Sequence, residues 1–143
     1  MKTQKNKKII GFTCGAFDLT HAGHYLMFRE IKNKCTYLIV GLQSDPSIDR
    51  KEKNKPIQSL KERKIQLEAC KYIDKIINYK TEKDLVNLLK KVKPDIRFLG
   101  KDWEGKNYTG KELPINVIFN SRNHNYSSAS LRKRIVDAHK KQS

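Results

Sequence analysis

The sequence predicts an α/β fold: a single Rossmann-like domain in which helices cover both faces of a five-stranded parallel sheet. Short β-rich runs alternate with longer helical patterns along the 143 residues, which is typical of sheets assembled from strand–helix–strand units. The second run, residues 37–42, is apolar throughout, as expected of a strand buried on both faces. The length suits one domain, and we expect residues 1–7 to be a basic N-terminal extension and residues 140–143 a C-terminal tail.

The first half of the chain gives two strands and one helix before a long loop. Residues 8–12 are the first strand, and a turn containing Gly15 leads into a helical pattern over residues 21–33. The apolar run at residues 37–42 is the second strand. Residues 43–58 are polar, contain two prolines and a lysine-rich run, and are long enough for a functional loop.

The middle of the chain adds two helices and a strand. Ser59 and Glu62 have the spacing of a capping box, which predicts a helix to about Lys71. Residues 73–78 are the third strand. Thr81 can cap the next helix, in which leucines recur at helical spacing until a proline stops the pattern.

The last third of the sequence completes the alternation. Residues 95–99 and 115–119 are the fourth and fifth strands, and a polar insertion with Gly105 and Gly110 separates them. A final helix is predicted over residues 128–139.

Composition limits the partners to anions. There are 31 Lys and Arg residues against 15 Asp and Glu, a formal net charge of +16, which favours either a nucleic acid or small polyanionic ligands. No apolar run approaches the roughly 20 residues of a bilayer span, and the basic N-terminus lacks the apolar region of a signal peptide. The cysteines are odd in number and widely spaced, so we expect a cytoplasmic protein without a disulfide framework or zinc site.

The segment after the first strand is the strongest candidate for a functional site. Parallel sheets bind ligands at the carboxyl ends of their strands, and residues 14–24 read CGAFDLTHAGH there. His21 and His24 lie three residues apart on one helical face, at a helix start whose free backbone N–H groups suit a phosphate. Gly23 between them lets a ligand approach the backbone. The segment therefore predicts a phosphate-binding site.

These residues resemble a known family. Residues 15–24 resemble the GTFDxxHxGH motif of the cytidylyltransferase-like nucleotidyltransferases, and most closely that of glycerol-3-phosphate cytidylyltransferases; the similarity extends from about residue 9 to residue 135. Arg63 matches an arginine at the start of the family's second helix. Residues 100–106, GKDWEGK, resemble its GDDWEGK stretch, and residues 127–128 lie where it has ISTT.

The resemblance implies transfer of CMP from CTP to a phosphorylated small alcohol, with glycerol 3-phosphate first, and release of pyrophosphate. It implies Mg²⁺ bound through the nucleotide phosphates without direct protein ligands, and a homodimer. The implied catalytic residues are His21, His24, Lys53 and Arg122. The implied nucleotide-binding residues are Cys14, Gly15, Ala16, Phe17, Asp18, Gly23, Arg63, Gly100, Asp102, Tyr126, Ser127 and Ser128. Weaker candidates for the acceptor are Lys51, Lys80 and Lys83.

Several departures from the family pattern leave alternatives open. Lys101 stands in place of an aspartate, residues 122–126 replace most of RTEGI, and Ala129 replaces a threonine. The acceptor could also be another polyol phosphate, a sugar phosphate or phosphoethanolamine. Adenylyltransferases, including FAD synthetases, share the HxGH motif, so ATP is the alternative donor. A nucleic-acid-binding module would need interleaved aromatics or a helix-turn-helix pattern, which the sequence lacks, and a catalytically inactive relative is the remaining alternative.

Overall fold

The fold is an α/β sandwich around a parallel sheet, which confirms the predicted class. The structure, a computed structural model, describes residues 7–143, so all of the predicted basic extension except Lys7 lies outside the described residues. The elements in chain order are β1 (Ile10–Gly15), α1 (Ala22–Lys32), β2 (Tyr37–Gln43), α2 (Leu60–Glu68), β3 (Lys75–Tyr79), α3 (Glu82–Val92), β4 (Ile96–Gly100), a 3₁₀ turn (Lys101–Trp103), β5 (Asn116–Asn120) and α4 (Ser128–Gln142).

The sheet has the strand order β3-β2-β1-β4-β5, and every neighbouring pair is parallel. The chain builds outward from β1 in one direction and then returns to add β4 on its other side. The gap between the carboxyl ends of β1 and β4 is therefore the switch point of the sheet, where ligands of such folds bind.

Each face of the sheet has its own apolar core. On one face Phe28 of α1 and Leu67 of α2 pack against Leu38 and Val40 of β2. On the other face Leu89 of α3 packs in the cluster that contains strand residues of β1 and β2. Because β2 is buried from both sides, its apolar run needs no alternation, and burial of each such side chain contributes about 1.5–3 kcal/mol.

The observed boundaries differ most from the predicted ones in three places. β1 runs on to Gly15, because its second half pairs with β2 through Gly15 and Leu42. α2 ends at Glu68, since the chain turns there to bury Cys70 in the core. α4 continues through Gln142, so the predicted tail at residues 140–143 is mostly helical, because lysine and glutamine are good helix formers and nothing in the segment breaks the helix.

Within residues 7–143, no helix has both the length and the apolar character needed to cross a membrane.

Candidate active site

Two histidines at the start of α1 form a reciprocal capping box. His21 is the N-cap: its Nδ1 accepts a hydrogen bond from the Gly23 amide at 3.1 Å, and the His21 amide donates to His24 Nδ1 at 3.2 Å. The ring centroids lie 4.1 Å apart. Because both Nδ1 atoms accept, each neutral ring carries its proton on Nε2. The cap therefore orients two Nε2–H donors at a helix N-terminus.

Both imidazoles are held neutral. Burial and the neighbouring His21 lower the pKa of His24 to about 4. The pKa of His21 is also lowered, first by burial and then by the nearby His124 and Arg122. At neutral pH the two rings thus act as hydrogen-bond donors without a full charge.

Position 23 requires a glycine because the rings of His21 and His124 approach its backbone closely. A Cβ at position 23 would lie 2.8 Å from Cε1 of His124 and 2.9 Å from Cε1 of His21. Any larger residue would push one of the two rings away, so the glycine keeps His21, His24 and His124 together.

The start of α4 faces the start of α1. Ser127 caps α4 through a hydrogen bond from the Ser130 amide, and the Ser128 hydroxyl lies 3.3 Å from His21 Nε2. Two helix N-termini, each with unpaired backbone N–H groups and the positive end of a helix dipole, thus open toward the same space. This arrangement suits a polyanion that spans both.

A cavity of about 280 Å³, which we call the histidine pocket, lies between these helix starts and the ends of β4 and β5. The sequence-predicted residues that line it are His21, Gly23, His24, Gly100, Asp102, Arg122, Tyr126, Ser127 and Ser128. The structure therefore brings together both histidines, the α4 serines and the end of the GKDWEGK stretch.

Other lining residues were not predicted: Met27, Lys101, Asn120, Ser121 and His124. Asn120 and Ser121 end and follow a strand, and strand ends at the carboxyl edge are a signal that could have found them. His124 stacks on Tyr126 with centroids 5.2 Å apart. It lies in the segment that departs from the family pattern, so no motif pointed to it.

A second, smaller cavity of about 90 Å³ lies at the ends of β1 to β4, and we call it the Arg97 cavity. The residues lining it are Cys14, Gly15, Gln43, Arg50, Tyr79, Glu82, Arg97, Leu99, Trp103, Tyr108 and Thr109. Cys14 and Gly15 therefore face this cavity, although the resemblance implied nucleotide contacts for them. The cavity draws on α3, whereas the histidine pocket draws on α1, so the two open on opposite sides of the sheet edge.

The Arg97 cavity is lined by a hydrogen-bonded network of polar groups. Arg97 is 3% exposed and donates from Nη1 to the Thr109 carbonyl. The Thr109 hydroxyl and the Gln43 amide each donate to Glu82 at 2.8 Å. Within residues 7–143 Nε of Arg97 has no partner.

The thiol and phenol in the same wall are both protonated at neutral pH. Burial raises the pKa of the Cys14 thiol and that of the Tyr79 hydroxyl. Neither group is therefore a nucleophile or base at neutral pH, and both can serve as hydrogen-bond partners for a neutral ligand.

Arg63 is buried beneath the loops that follow β1 and β2. It is 2% exposed, and its guanidinium donates to five carbonyl oxygens, those of Ala16, Gln43, Ser44, Gln58 and Ser59. The contacts seen in the structure are therefore structural, and the expected nucleotide contact stays a prediction. Arg63 fixes these loops relative to the start of α2.

The remaining predicted residues shape or surround the site. Asp18 accepts hydrogen bonds from the amides of Ile57 and Gln58 and pairs with Arg132 at 3.2 Å, and Phe17 packs edge-on against His24. These contacts make Asp18 a residue that orients the loop before α2 and the start of α4. The candidate lysines outside the histidine pocket are all exposed: Lys51, Lys53, Lys80 and Lys83.

Comparison with known proteins gives concordant matches. The family model described as cytidylyltransferase-like matches residues 12–134. The chain is 34% identical over 137 residues to the bifunctional protein HldE of Campylobacter concisus, covering 95% of this chain and 29% of that protein. It is 35% identical over 119 residues to HldE of Helicobacter hepaticus, covering 82% and 24%. The chain thus spans less than a third of the curated relatives it matches.

Among solved structures, the lipopolysaccharide core biosynthesis protein of Thermoplasma volcanium GSS1 superposes with a TM-score of 0.69 and 25% identity. The match covers 82% of this chain and all of that one.

Proposed function

The chain belongs to the cytidylyltransferase-like family, and on that premise we propose that it transfers a nucleotidyl group from a nucleoside triphosphate to the phosphate of a small sugar or polyol. The observation that carries the proposal is the histidine pocket, in which two neutral Nε2–H donors and two helix N-termini face one space. Such a site neutralises phosphate oxygens without requiring any ionised side chain.

The reaction divides into one attack and one departure. An oxygen of the acceptor phosphate forms a bond to the α-phosphorus, and the bond from that phosphorus to the bridging oxygen breaks, so the electron pair leaves with pyrophosphate. The acceptor phosphate is already anionic at neutral pH, so no general base is needed. His21, His24 and Ser128 would donate to phosphate oxygens, with bonds that strengthen as charge moves to the leaving group.

Two cationic side chains, those of Arg122 and Lys53, would contribute to the same step. Arg122 lines the histidine pocket and already donates to the Tyr126 carbonyl at 2.9 Å, which leaves other guanidinium N–H groups for a phosphate. Lys53 lies on the exposed loop between β2 and α2 and would act as a flexible point charge over the triphosphate.

Magnesium fits this pocket only as a partner of the nucleotide. Within residues 7–143 no group of three or more His, Cys, Asp or Glu side chains could hold a metal ion, and Asp102 is the carboxylate of the histidine pocket. We propose that Mg²⁺ is bound mainly by phosphate oxygens, with Asp102 holding a water ligand. The bound ion would supply additional charge neutralisation.

The Arg97 cavity supports an acceptor rich in hydroxyl groups. Its wall combines amide, carboxylate, hydroxyl and guanidinium groups, which are suited to bonding neutral hydroxyls. The lipopolysaccharide core is an oligosaccharide, so the similarity to a protein of its biosynthesis supports a sugar phosphate. Glycerol 3-phosphate, the first acceptor implied by the sequence resemblance, is the smaller candidate of the same chemistry.

Two donors are candidates. CTP is favoured by the similarity of residues 100–106 to the cytidylyltransferase stretch, of which Gly100 and Asp102 line the histidine pocket. ATP is favoured by residues 122–126, because they depart from the cytidylyltransferase pattern where they form the pocket wall and present the stacked rings of His124 and Tyr126.

The test is a matrix of reactions with magnesium. Each of ATP, CTP, GTP and UTP is incubated with glycerol 3-phosphate, hexose and heptose 1-phosphates or phosphoethanolamine, and pyrophosphate release is measured. We expect turnover with ATP or CTP and a sugar or polyol phosphate. The control is His139→Ala, a histidine exposed on α4, which should match the wild type. Absence of turnover for every pair, with tight salt-sensitive binding of DNA or RNA, would replace the proposal by a nucleic-acid-binding function.

A further inference from the structure

Asn120 carries the least explained polar group of the histidine pocket. It is the last residue of β5 and is 4% exposed, and within residues 7–143 neither Oδ1 nor Nδ2 of its amide has a hydrogen-bond partner. The residue nevertheless lines the pocket. Buried amides in folded proteins are almost always bonded, so an orphaned amide at a cavity wall indicates a partner that enters with a ligand.

The position of Asn120 separates it from the phosphate end of the pocket. The next residue, Ser121, bonds through its amide and hydroxyl to the Glu30 carboxylate at 3.1 and 2.9 Å. Glu30 lies eight residues beyond Ala22, the first residue of α1, which is about 12 Å along a helix axis. The end of β5 is therefore tied to the far part of α1, away from the helix start that carries the histidines.

Part of the pocket wall on the Asn120 side carries no polar side chain. Met27, one turn beyond His24, lines the same pocket, and Gly100 pairs with Asn120 across β4 and β5. A thioether and a glycine backbone form a surface on which a flat ring can lie. The pocket thus has an anion-binding end and an end that suits an aromatic heterocycle with a polar edge.

We propose that Asn120 is a specificity-determining residue that binds the edge of the nucleotide base through both atoms of its amide. An amide presents one acceptor and one donor side by side. Adenine and cytosine both offer an exocyclic amine next to a ring nitrogen, which matches that pair. The inference rests on the proposed function for its ligand, and it adds the group that would distinguish one nucleotide from another.

A base-binding role and a structural role make opposite predictions for stability. Among the residues that the structure describes, Asn120 has no side-chain hydrogen-bond partner that a substitution would remove. Replacing it by leucine, which has a similar shape, removes a buried unsatisfied amide and should leave Tm unchanged or raise it by about 2–4 °C. A residue retained for folding would instead lower Tm when replaced.

The experiment measures binding of ATP, CTP, GTP, UTP and inorganic tripolyphosphate, each with magnesium, to the wild-type chain and to Asn120→Leu. We expect ATP or CTP to bind the wild type at least 10-fold more tightly than tripolyphosphate does, and Asn120→Leu to lose about 10- to 100-fold of that affinity, as for one bidentate base contact. Affinity for tripolyphosphate should not change. Asn116→Leu, an exposed asparagine at the start of the same strand, is the matched control, and Asn120→Ala serves if the leucine variant does not fold.

Every other outcome would contradict either the base-binding role of Asn120 or the proposed function. Unchanged binding of ATP and CTP by Asn120→Leu, or an equal loss for tripolyphosphate, would remove the base-binding role and leave the proposed function intact. Wild-type preference for GTP or UTP would do the same. A wild type that binds none of the nucleotides would overturn both proposals. Base-dependent binding that is lost in Asn120→Leu, without pyrophosphate release for any acceptor, would support Asn120 and overturn the proposed reaction.

Discussion

The histidine pocket and the Arg97 cavity share the carboxyl edge of one sheet but are built in opposite ways. The pocket is lined by two neutral imidazoles, hydroxyl groups and helix starts, together with Lys101, Asp102 and Arg122, and much of its wall is half-buried or exposed. In the Arg97 cavity the charged groups bond to neutral groups of the same wall: Arg97 donates to the Thr109 carbonyl, and Glu82 accepts from Thr109 and Gln43. A site that keeps donors free suits a polyanion, whereas a network that fixes its own charges suits a neutral, hydroxyl-bearing group. The difference supports the proposal that this edge has one end for phosphates and another for the body of an acceptor.

The largest effect should come from the phosphate end. His24→Ala removes one preorganised donor from the transition state, and we expect kcat to fall by about 10²–10³-fold, with a smaller change in KM for the nucleotide. Steady-state kinetics with saturating acceptor measures this. His139→Ala should stay within twofold of the wild type. Wild-type turnover in His24→Ala would remove the pocket from the mechanism and with it the division between the two regions.

The next effect tests whether the Arg97 cavity serves the acceptor alone. Arg97→Met removes the buried guanidinium with little change in length, and we expect kcat/KM for the acceptor to fall by about 10–100-fold, as for a lost charged hydrogen bond with its partners left unpaired. The dissociation constant of the nucleotide should stay the same. Arg134→Met, on the exposed face of α4, is the control, and Arg97→Lys provides a second variant if the methionine variant is unstable. An equal loss of nucleotide affinity would show that the two regions form one site.

A smaller effect should come from the contact that joins the two helix starts. Ser128→Ala removes the hydroxyl that lies 3.3 Å from His21 Nε2, and a neutral hydrogen bond of about 0.5–1.5 kcal/mol corresponds to roughly a 2- to 10-fold lower kcat. Ser130→Ala, whose hydroxyl lies on the exposed side of the same turn, should have no effect. A loss as large as that of His24→Ala would mean that Ser128 holds a phosphate more directly than the geometry indicates.

The smallest effect is expected from pH. Because burial and His21 lower the pKa of His24 to about 4, the ring is neutral throughout the range from pH 6.5 to 8.5. We expect no step in kcat from His24 over that range, since its ring gains no proton there. Titration of the ring by NMR checks the cause.

The lowered pKa of His24 also determines how the stability of the fold changes with pH. The unfolded chain takes up the His24 proton at its ordinary, higher pKa, so the folded state loses stability as pH falls from about 6.5 toward 4. His24→Gln should reduce that loss. A kcat step near pH 6.5 that disappears in His24→Gln would show a charged imidazole in the mechanism and contradict the neutral-donor description of the pocket.

The sequence predicted much of the lining of the histidine pocket, because its features are local. His21, His24 and Ser127 each sit at a helix start that can be found from capping residues and spacing alone. The family resemblance, borne out by the match over residues 12–134, connected these local signals into one site.

The Arg97 cavity and Arg63 could not be found in that way. Arg63 has the sequence position expected of a nucleotide contact, but the direction of its side chain depends on the loops that fold over it. Arg97 interrupts an otherwise apolar strand. Hydrophobic periodicity identifies the strand but does not indicate what a charged residue within it does. The cytoplasmic location, the magnesium ion, the homodimer and the contact from Lys53 stay predictions.

The last helix, α4, forms part of the histidine pocket but packs only lightly against the rest of the domain. None of the 15 residues of α4 is buried, and its links to the rest of the chain include the ion pair from Arg132 to Asp18 and the contact from Ser128 to His21. A helix with so little packing opens locally at a low free energy. A bound triphosphate that bridges the two helix starts would raise that opening free energy by mass action. Order in α4 and occupancy of the pocket are then one coupled equilibrium, in which the ligand completes the folding of its own site.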